Sequence, residues 1–295
     1  MNRVVAEGLR IAGRYTLVEK LGSGGQGEVW RAVDQGNPDS VALKILSRSF
    51  VPGSDPWEML QREFAVVREL NHPLILKTYP PICDGELAVL PMDLATGGDL
   101  RQLRGAPYVE VVPVLMDLAR ALEYAHEQGV VHRDLKPANV LFDAVGQVQL
   151  ADFGVAGRAQ PDGQIDQART GWSPSSASPQ QLKGLPPTLA DDLYGLGALA
   201  FELLTGTPPY FPAFDVRRVL HDPVPAVVPV HLAPRRLLEL VRSLLAKNPR
   251  QRPESMRAVI ISLSAALDEP MTREEQILGA SARERNATPV VTPEC

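Results

Sequence analysis

The sequence predicts an α+β fold of two lobes, in which a small antiparallel-sheet lobe precedes a larger, mostly helical lobe. Apolar and polar residues alternate on both sides of a glycine cluster between residues 15 and 46, as they do in antiparallel strands. After Gly97-Gly98, apolar residues recur at helical spacing in several segments. Residues 130–187 are rich in Gly, Pro, Ser, Asp and Gln, and so long a loop region in a compact domain usually carries function.

The first lobe is predicted to hold strands and one helix. Strand-like runs flank the glycines and continue to Ile45, and short strands return between Leu74 and Leu90. Between them, the apolar residues from Trp57 to Leu70 fall near helical spacing, and Asn71-His72-Pro73 ends that run.

The second lobe is predicted to be built mainly from helices. An apolar stripe runs from Val111 to Ala125 and is closed by Gly129. The segment Asp192–Leu204 is apolar nearly all round, which is typical of a helix buried inside a domain. Two further amphipathic helices are predicted at Leu237–Leu245 and Met256–Leu267.

These elements predict four parts of the chain. They are an N-terminal extension (1–13), the first lobe (14–93), the second lobe (94–268) and a mobile tail (269–295) that is charged and lacks an apolar period.

Composition excludes several classes of protein. The formal net charge of -5 argues against a nucleic-acid partner, because nucleic-acid-binding domains usually carry a basic surface. Only Cys83 and Cys295 are present, which favours a reducing compartment over a disulfide framework. Neither a secretory leader nor an apolar run of the ~18 residues that span a membrane is recognisable. We therefore expect a cytoplasmic protein without a membrane span.

The glycine cluster has the G-x-G-x-x-G pattern from Gly22 to Gly27. Glycines permit a tight hairpin and let backbone N–H groups approach a phosphate chain closely. By itself the pattern is weak, since it also fits ordinary turns and dinucleotide-binding folds. A dinucleotide fold would open a helix here, whereas strand-like sequence continues from Glu28 to Val33. The Walker pattern is not met, because no Lys-Ser/Thr pair follows.

One lysine could bind phosphate while a glutamate holds it in place. Lys44 lies in the apolar strand Val41-Ala42-Leu43-Lys44, and Glu63, 19 residues later, lies in the predicted helix. Taken singly, the lysine is more commonly a surface residue and the glutamate a solvated helical one. Taken together, they can form a cation aimed at phosphates and a carboxylate that holds it.

The strongest motifs lie in the loop region. His132-Arg133-Asp134-Leu135-Lys136-Pro137-Ala138-Asn139 places a base, a lysine and a metal-coordinating amide within eight residues, and Asp152-Phe153-Gly154 follows a strand-like segment. Either motif alone could be a turn stabilised by local hydrogen bonds. Both in this order are very improbable by chance.

With these motifs the chain resembles the eukaryotic-type (Hanks-type) Ser/Thr protein kinases, in their bacterial form, from about Tyr15 to Leu267. The resemblance implies a protein-kinase-like bilobal fold and ATP-dependent phosphoryl transfer with Mg²⁺, or Mn²⁺ in its place. Asp134 would accept the substrate hydroxyl proton, Lys136 would contact the γ-phosphate, and Asn139 and Asp152 would bind the metal. Lys44 would hold the α- and β-phosphates and Glu63 would orient Lys44.

The resemblance also implies the nucleotide site. The residues that would cover the phosphates are Leu21, Gly22, Ser23, Gly24, Gly25, Gln26 and Gly27. Val29, Ala42 and Leu141 would sandwich the adenine, and Met92, Asp93 and Ala95 would belong to the hinge that hydrogen-bonds it. The partners implied are protein substrates with Ser or Thr acceptors and a second copy of the chain for trans-autophosphorylation.

The chain departs from the family pattern at the end of the activation segment. Ser178-Pro179-Gln180 replaces the usual Ala/Ser-Pro-Glu, so Gln180 cannot form a charged bridge to Arg252, although it can accept a hydrogen bond. Upstream, Thr170 and Ser173 are candidate phosphorylation sites, and Arg133 suits the pairing of a phosphate with arginine.

Three functions stay open on these residues: an active Ser/Thr kinase, a pseudokinase that only binds nucleotide, and a small-molecule kinase. Lys44, Asp134 and Asp152 are all present, which favours an active enzyme. Lys136 favours a Ser/Thr protein kinase over an antibiotic phosphotransferase.

Overall fold

The computed structural model describes residues 4–24, 27–36, 40–47, 55–154, 156–158, 175–212 and 214–269. The strands are β1 Arg10–Ile11, β2 Tyr15–Gly24, β3 Gly27–Asp34, β4 Ser40–Ser47, β5 Ile82–Asp84, β6 Leu87–Asp93, β7 Val130–Val131, β8 Val140–Phe142, β9 Val148–Leu150 and β10 Gly157–Arg158. The helices are α1 Pro56–Val67, α2 Tyr108–Glu127, α3 Pro179–Leu182, α4 Leu189–Thr205, α5 Val216–His221, α6 Arg235–Leu244 and α7 Met256–Asp268. Short 3₁₀ helices span Leu100–Leu103, Pro137–Asn139 and Pro249–Gln251.

The first lobe is an antiparallel sheet, as predicted, in the order β1-β2-β3-β4-β6-β5. Alternate residues of these strands point into an apolar core that includes Leu17, Leu43 and Ile45, all of which are at most 1% exposed. Ile11 of β1 is fully buried in the same core, so residues of the predicted N-terminal extension take part in the sheet.

Helix α1 packs against the sheet through Leu60 and its neighbours, next to Leu46 and Leu90. It begins at Pro56 because the side chain of Asp55 accepts a hydrogen bond from the N–H of Trp57 (2.9 Å) and proline suits the first helical position. The helix ends at Val67, three residues before the predicted end, where a tighter turn follows.

The second lobe is helical, with α4 as its central element. Every residue of α4 from Asp191 to Leu204 is buried, which confirms the prediction of a fully buried helix. Gly197 permits close packing on α6, since a Cβ atom there would lie 2.6 Å from the Cβ atom of Leu244. Helix α2 packs against α4 and α7. No helix among the residues described is both long and apolar enough to span a membrane.

The loop region between α2 and α4 contains short strands, of which β9 is the strand-like segment predicted before Asp152, whereas β7, β8 and β10 were not predicted. Strands β8 and β9 pair as a two-stranded sheet, and β7 pairs with β10. The 3₁₀ helix Pro137–Asn139 leads into β8, and Asp152 follows β9 after one residue. This hairpin therefore brings Asn139 and Asp152 close to each other.

Candidate active site

Lys44 lies at the centre of a cluster of charges between the two lobes. Its Nζ atom donates to both carboxylate oxygens of Glu63 (2.9 and 2.8 Å) and to Oδ1 of Asp152 (2.8 Å). Strand β4 supplies the lysine, α1 the glutamate and the segment after β9 the aspartate. Three residues separated by 19 and 108 positions in the chain thus converge, as the sequence predicts for Lys44 and Glu63.

The charges of this cluster are strongly coupled to one another. Burial disfavours the charged form of Lys44, but Asp152 and Glu63 outweigh it and raise the pKa of the ammonium group above its ordinary value. Burial likewise works against the carboxylate of Asp152, yet Lys44 lowers its pKa to about 2. At neutral pH the cluster therefore holds one cation and at least one anion in a largely buried position.

The glycine hairpin joins β2 to β3. Gly24 and Gly27 are cross-strand partners, and Gly27 has φ = 145°, a conformation that L side chains rarely adopt. A Cβ atom on Gly27 would lie 2.3 Å from the carbonyl oxygen of Ile45, so only glycine fits. Of the predicted phosphate-covering residues, Gly25 and Gln26 lie outside the described residues, and Leu21 to Gly24 form the end of β2.

The carboxylate of Asp134 is held by its own loop. Oδ2 of Asp134 accepts from Lys136 Nζ (2.7 Å) and from Asn139 Nδ2 (3.0 Å), and the Asn139 amide also donates to the Asp134 carbonyl (2.9 Å). Asp134 and Asn139 are buried, whereas the Lys136 side chain is 30% exposed. The structure thus brings together the three residues that the sequence predicted as base, γ-phosphate contact and metal ligand.

The backbone before Asp134 is fixed by buried side chains. Arg133 has φ = 69°, and its N–H donates to Oδ1 of Asp192 (2.7 Å), while the N–H of His132 donates to Oδ2 (2.8 Å). Oδ2 of Asp192 also lies 2.8 Å from Nε2 of His126. A non-glycine residue in this region costs about 1–3 kcal/mol, so these contacts stabilise a strained conformation.

Asp152 is also in the left-handed region, with φ = 64°. The next residue, Phe153, is buried and packs edge-on against His132 with ring centroids 4.6 Å apart. Nε2 of His132 lies 3.0 Å from the carbonyl oxygen of Ala151, while Nδ1 accepts from the N–H of Asp134 (3.2 Å). His132 therefore ties the backbone before Asp134 to the backbone before Asp152.

The residues predicted to contact adenine lie in strands β3, β4 and β8. In β3, Val29 pairs with Lys44, and in β4, Ala42 pairs with Met92, whereas Leu141 of β8 bridges to Asp99.

Asp93 is the last residue of β6, so the predicted hinge begins at the end of a strand. Its N–H donates to the carbonyl of Lys77 (3.0 Å) and its Oδ1 accepts from the Tyr79 hydroxyl (2.7 Å), a bond that raises the pKa of Tyr79 to about 12. Leu94 and Ala95 follow outside the sheet. The candidate phosphorylation sites Thr170 and Ser173 lie outside the described residues.

Gln180 takes the place expected of a charged residue and accepts a hydrogen bond there. Nη2 of Arg252 donates to Oε1 of Gln180 (2.8 Å), and Nε2 of Gln180 donates to the carbonyl of Lys247 (3.0 Å). Arg252 also donates to the carbonyls of Ala246 (2.8 Å) and Ala190 (2.6 Å). Burial lowers the pKa of Arg252 to about 10, although Asp191 opposes the shift.

Two residues near the site were missed by sequence reasoning. His126 contacts the carboxylate of Asp192, and Gln181 donates to the carbonyl of Arg133 (2.9 Å). For Gln181 a signal was available, since Ser178 followed three residues later by a glutamine is the pattern of a capping box. For His126 the helical stripe gave no signal, because a histidine on a buried helix face is usually core.

The chain matches known proteins over most of its length. A family model described as the protein kinase domain matches residues 15–262. The serine/threonine-protein kinase PkaA of Streptomyces coelicolor is 36% identical over 83% of this chain and 48% of its own length. The serine/threonine-protein kinase PknF of Mycobacterium tuberculosis is 35% identical over 98% of this chain and 65% of its own length.

A further relative, the serine/threonine-protein kinase PknA of Mycobacterium tuberculosis, is 32% identical over 84% of this chain and 60% of its own length. The chain thus spans about half to two thirds of the length of these relatives. The resemblance seen in the sequence motifs is confirmed, together with the bilobal fold it implied. The chain belongs to the protein kinase domain family.

Proposed function

We propose that this chain transfers the γ-phosphoryl group of ATP to Ser or Thr hydroxyls of proteins. The observation that carries the proposal is the meeting of two charged groups at the β8–β9 hairpin, where the N–H of Ala151 donates to the carbonyl of Asn139 (2.9 Å). One group is Lys44 with Glu63 and Asp152, and the other is Asp134 with Asn139. Phosphoryl transfer depends mainly on positioning and on neutralising charge at the phosphoryl oxygens, and these side chains supply both. The names of the relatives support the same activity.

Lys44 is proposed to hold the α- and β-phosphates. Its ammonium group stays charged at working pH because two carboxylates raise its pKa. Glu63 keeps it fixed through two short hydrogen bonds. The glycine hairpin is proposed to cover the phosphates, with Val29, Ala42 and Leu141 around the adenine.

The donor set at Asn139 and Asp152 fits magnesium. Mg²⁺ prefers oxygen ligands and is commonly bound by one or two carboxylates together with substrate phosphates. Because Nδ2 of Asn139 donates to Asp134, its Oδ1 atom is left as an acceptor, and Asp152 stays ionised since its pKa is about 2. When bound, the metal would neutralise negative charge on the phosphate oxygens.

Asp134 is proposed to orient the acceptor hydroxyl and receive its proton. Lys136, 2.7 Å from the Asp134 carboxylate, is free to contact the γ-phosphate from a partly exposed position. Protein substrates, trans-autophosphorylation between two copies and a cytoplasmic location belong to the same proposal. The exposed free thiol of Cys83 and the intracellular supply of ATP support a reducing location.

The experiment is transfer of radioactive phosphate from γ-labelled ATP with Mg²⁺ to a generic basic protein and to the chain itself. We expect transfer by the unaltered protein and a loss of about 10³-fold or more in the Asp134→Asn variant, whose carboxamide cannot take up the proton. Nucleotide binding without transfer would contradict the proposal and identify a pseudokinase. Transfer to aminoglycosides but not to protein would identify a small-molecule kinase.

A further inference from the structure

Three hydrogen bonds hold the backbone at Arg133, two of them on the peptide unit between Arg133 and Asp134. Its N–H, that of Asp134, donates to His132 Nδ1 (3.2 Å), and its carbonyl, that of Arg133, accepts from Gln181 Nε2 (2.9 Å). The preceding N–H, that of Arg133, donates to Asp192 (2.7 Å). Because Arg133 is in the left-handed region, rotation of this unit is the motion by which the strain would be released.

Gln181 is built into its position. Its side chain is buried, at 4% exposure, and Oε1 accepts from the N–H of Ser178 (3.0 Å), while Nε2 donates to the carbonyl of Arg133. A donor on one side and an acceptor on the other fix the orientation of the amide. The N–H of Gln181 donates back to the Ser178 hydroxyl (3.1 Å), which completes a capping box at the start of α3.

The two acids in the first turn of α4, Asp191 and Asp192, hold both ends of this arrangement. Asp192 binds the N–H of Arg133 directly. Asp191 accepts from the Ser178 hydroxyl (2.5 Å) and from the N–H of Thr188 (3.1 Å), and Ser178 in turn orients Gln181. Consecutive side chains of one buried helix therefore fix the N–H and, through Ser178 and Gln181, the carbonyl of the residue before the proposed base.

We propose that Gln181 is a positioning residue, whose carboxamide links the end of the activation segment to the catalytic loop and sets the position of the Asp134 carboxylate. The inference rests on the proposed function. Gln181 does not reach Lys44 or the hinge, so its loss displaces the base without weakening nucleotide binding. It follows that, among the residues described, the hydrogen bond from Gln181 to the Arg133 carbonyl transmits order at the end of the activation segment to Asp134.

The test compares Gln181→Met, which keeps the length but removes both polar atoms, with Gln180→Glu as a matched control on the same short helix. Gln180 faces Arg252 and Lys247 and makes no hydrogen bond to the catalytic loop among the residues described. We expect Gln181→Met to lower kcat on the order of 10- to 100-fold, with the KM for ATP within about 2-fold, as for a reacting group misplaced by a fraction of an ångström. Gln180→Glu should keep both constants within about 2-fold.

A second variant, Gln181→Glu, separates positioning from mere packing. When it is ionised, the introduced carboxylate places an acceptor oxygen against the Arg133 carbonyl, and no hydrogen bond can form. Once protonated, it can donate to that carbonyl and restore the bond. The ratio of its kcat to that of the unaltered protein should therefore rise as the pH falls from about 8 to about 6, because burial raises the pKa of such a group. The corresponding ratio for Gln181→Met should stay flat.

Amide hydrogen exchange over residues 132–136 tests the same bond without turnover. Faster exchange in Gln181→Met but not in Gln180→Glu is expected. Unchanged exchange and unchanged kcat in Gln181→Met would overturn the inference. It would also be overturned if kcat fell only in proportion to the fraction of folded protein, which the stoichiometry of nucleotide binding measures. If the unaltered protein shows no transfer, the proposed function fails, and the exchange data still decide whether Gln181 holds the loop.

Discussion

Lys44 and Arg252 are both buried cations, one in each lobe, and they are held in opposite ways. Lys44 is 8% exposed and contacts two carboxylates, those of Glu63 and Asp152. Arg252 is 6% exposed, and within the described part of the chain its hydrogen-bond acceptors are the amide oxygen of Gln180 and backbone carbonyls. The pKa of Lys44 is raised accordingly, whereas burial lowers that of Arg252 to about 10.

The difference separates a site built for a ligand from a structural contact. Around Lys44 the carboxylates outnumber the ammonium group, and negative charge that is not fully balanced in the protein favours an added cation. Around Arg252 neutral dipoles satisfy the guanidinium, and no ligand is needed to complete it. A buried charge paired with a charge therefore indicates chemistry here, and a buried charge paired with dipoles indicates packing.

The largest expected effect is on activity, in the Lys44→Met variant. Removing the cation that is proposed to hold the phosphates should lower kcat by about 10³-fold, because a fixed charge in a buried site is worth several kcal/mol to the transition state. The control is Lys20→Met, which removes a lysine that pairs with Glu28 (2.5 Å) in the same sheet but is 40% exposed. Its activity should stay within about 2-fold, as exposed pairs contribute little. Retention of a tenth or more of the activity in Lys44→Met would contradict the role given to Lys44.

The second effect is on stability, in the Gln180→Leu variant. Leucine removes the acceptor for Arg252 Nη2 and the donor to the Lys247 carbonyl. Leaving buried polar groups unpaired should lower the free energy of unfolding by about 2 kcal/mol, measured by urea denaturation. Gln149→Leu, which removes a more exposed bond to the Pro73 carbonyl (3.0 Å), should change it by about 0.5 kcal/mol or less. Equal unfolding free energies of the two variants would show that the hydrogen bonds of Gln180 to Arg252 and Lys247 do not contribute to stability.

The same two regions show how far the sequence could predict the site. Asp134 and Asp152 were predicted because their two motifs, in this order, are very improbable by chance, and the role of Lys44 came from the family resemblance that these motifs carry. Their convergence was implied by the resemblance to protein kinases and not by the spacing of the residues themselves. The resemblance itself depended on the order of the motifs along the chain.

The contacts of the helical lobe could not be predicted in the same way. Gln181 and His126 act through atoms of the backbone and of Asp192, and a single side chain aimed at a carbonyl leaves no periodic pattern in the sequence. Helices α3 and α5, of four and six residues, are too short for an apolar stripe to mark them. The acceptor role of Gln180 was open from the sequence, but its second bond to Lys247 depends on how α6 ends.

The smallest expected effect is the pH dependence of stability, which should appear in one region and not in the other. The folded-state pKa of Asp152 is about 2, below its ordinary value of 3.8, mainly because Lys44 outweighs the effect of burial. A group whose pKa is lowered on folding contributes stability above its unfolded-state pKa, and that contribution is lost as the pH falls toward the folded value. The window for Asp152 is thus from about pH 4 down to about pH 2.

We therefore expect the difference in unfolding free energy between the unaltered protein and Lys44→Met to be largest near neutral pH and to shrink as the pH falls toward about 2. The variant lacks the cation that lowers the pKa of Asp152, and burial then favours uptake of a proton by this carboxylate at a higher pH. The difference between the unaltered protein and Gln180→Leu should be constant over the same range, since neither Gln180 nor Arg252 titrates there. Urea denaturation at closely spaced pH values measures both differences. If the Lys44→Met difference were constant with pH and the Gln180→Leu difference were not, the assignment of charge pairing to Lys44 and of dipole pairing to Arg252 would be wrong.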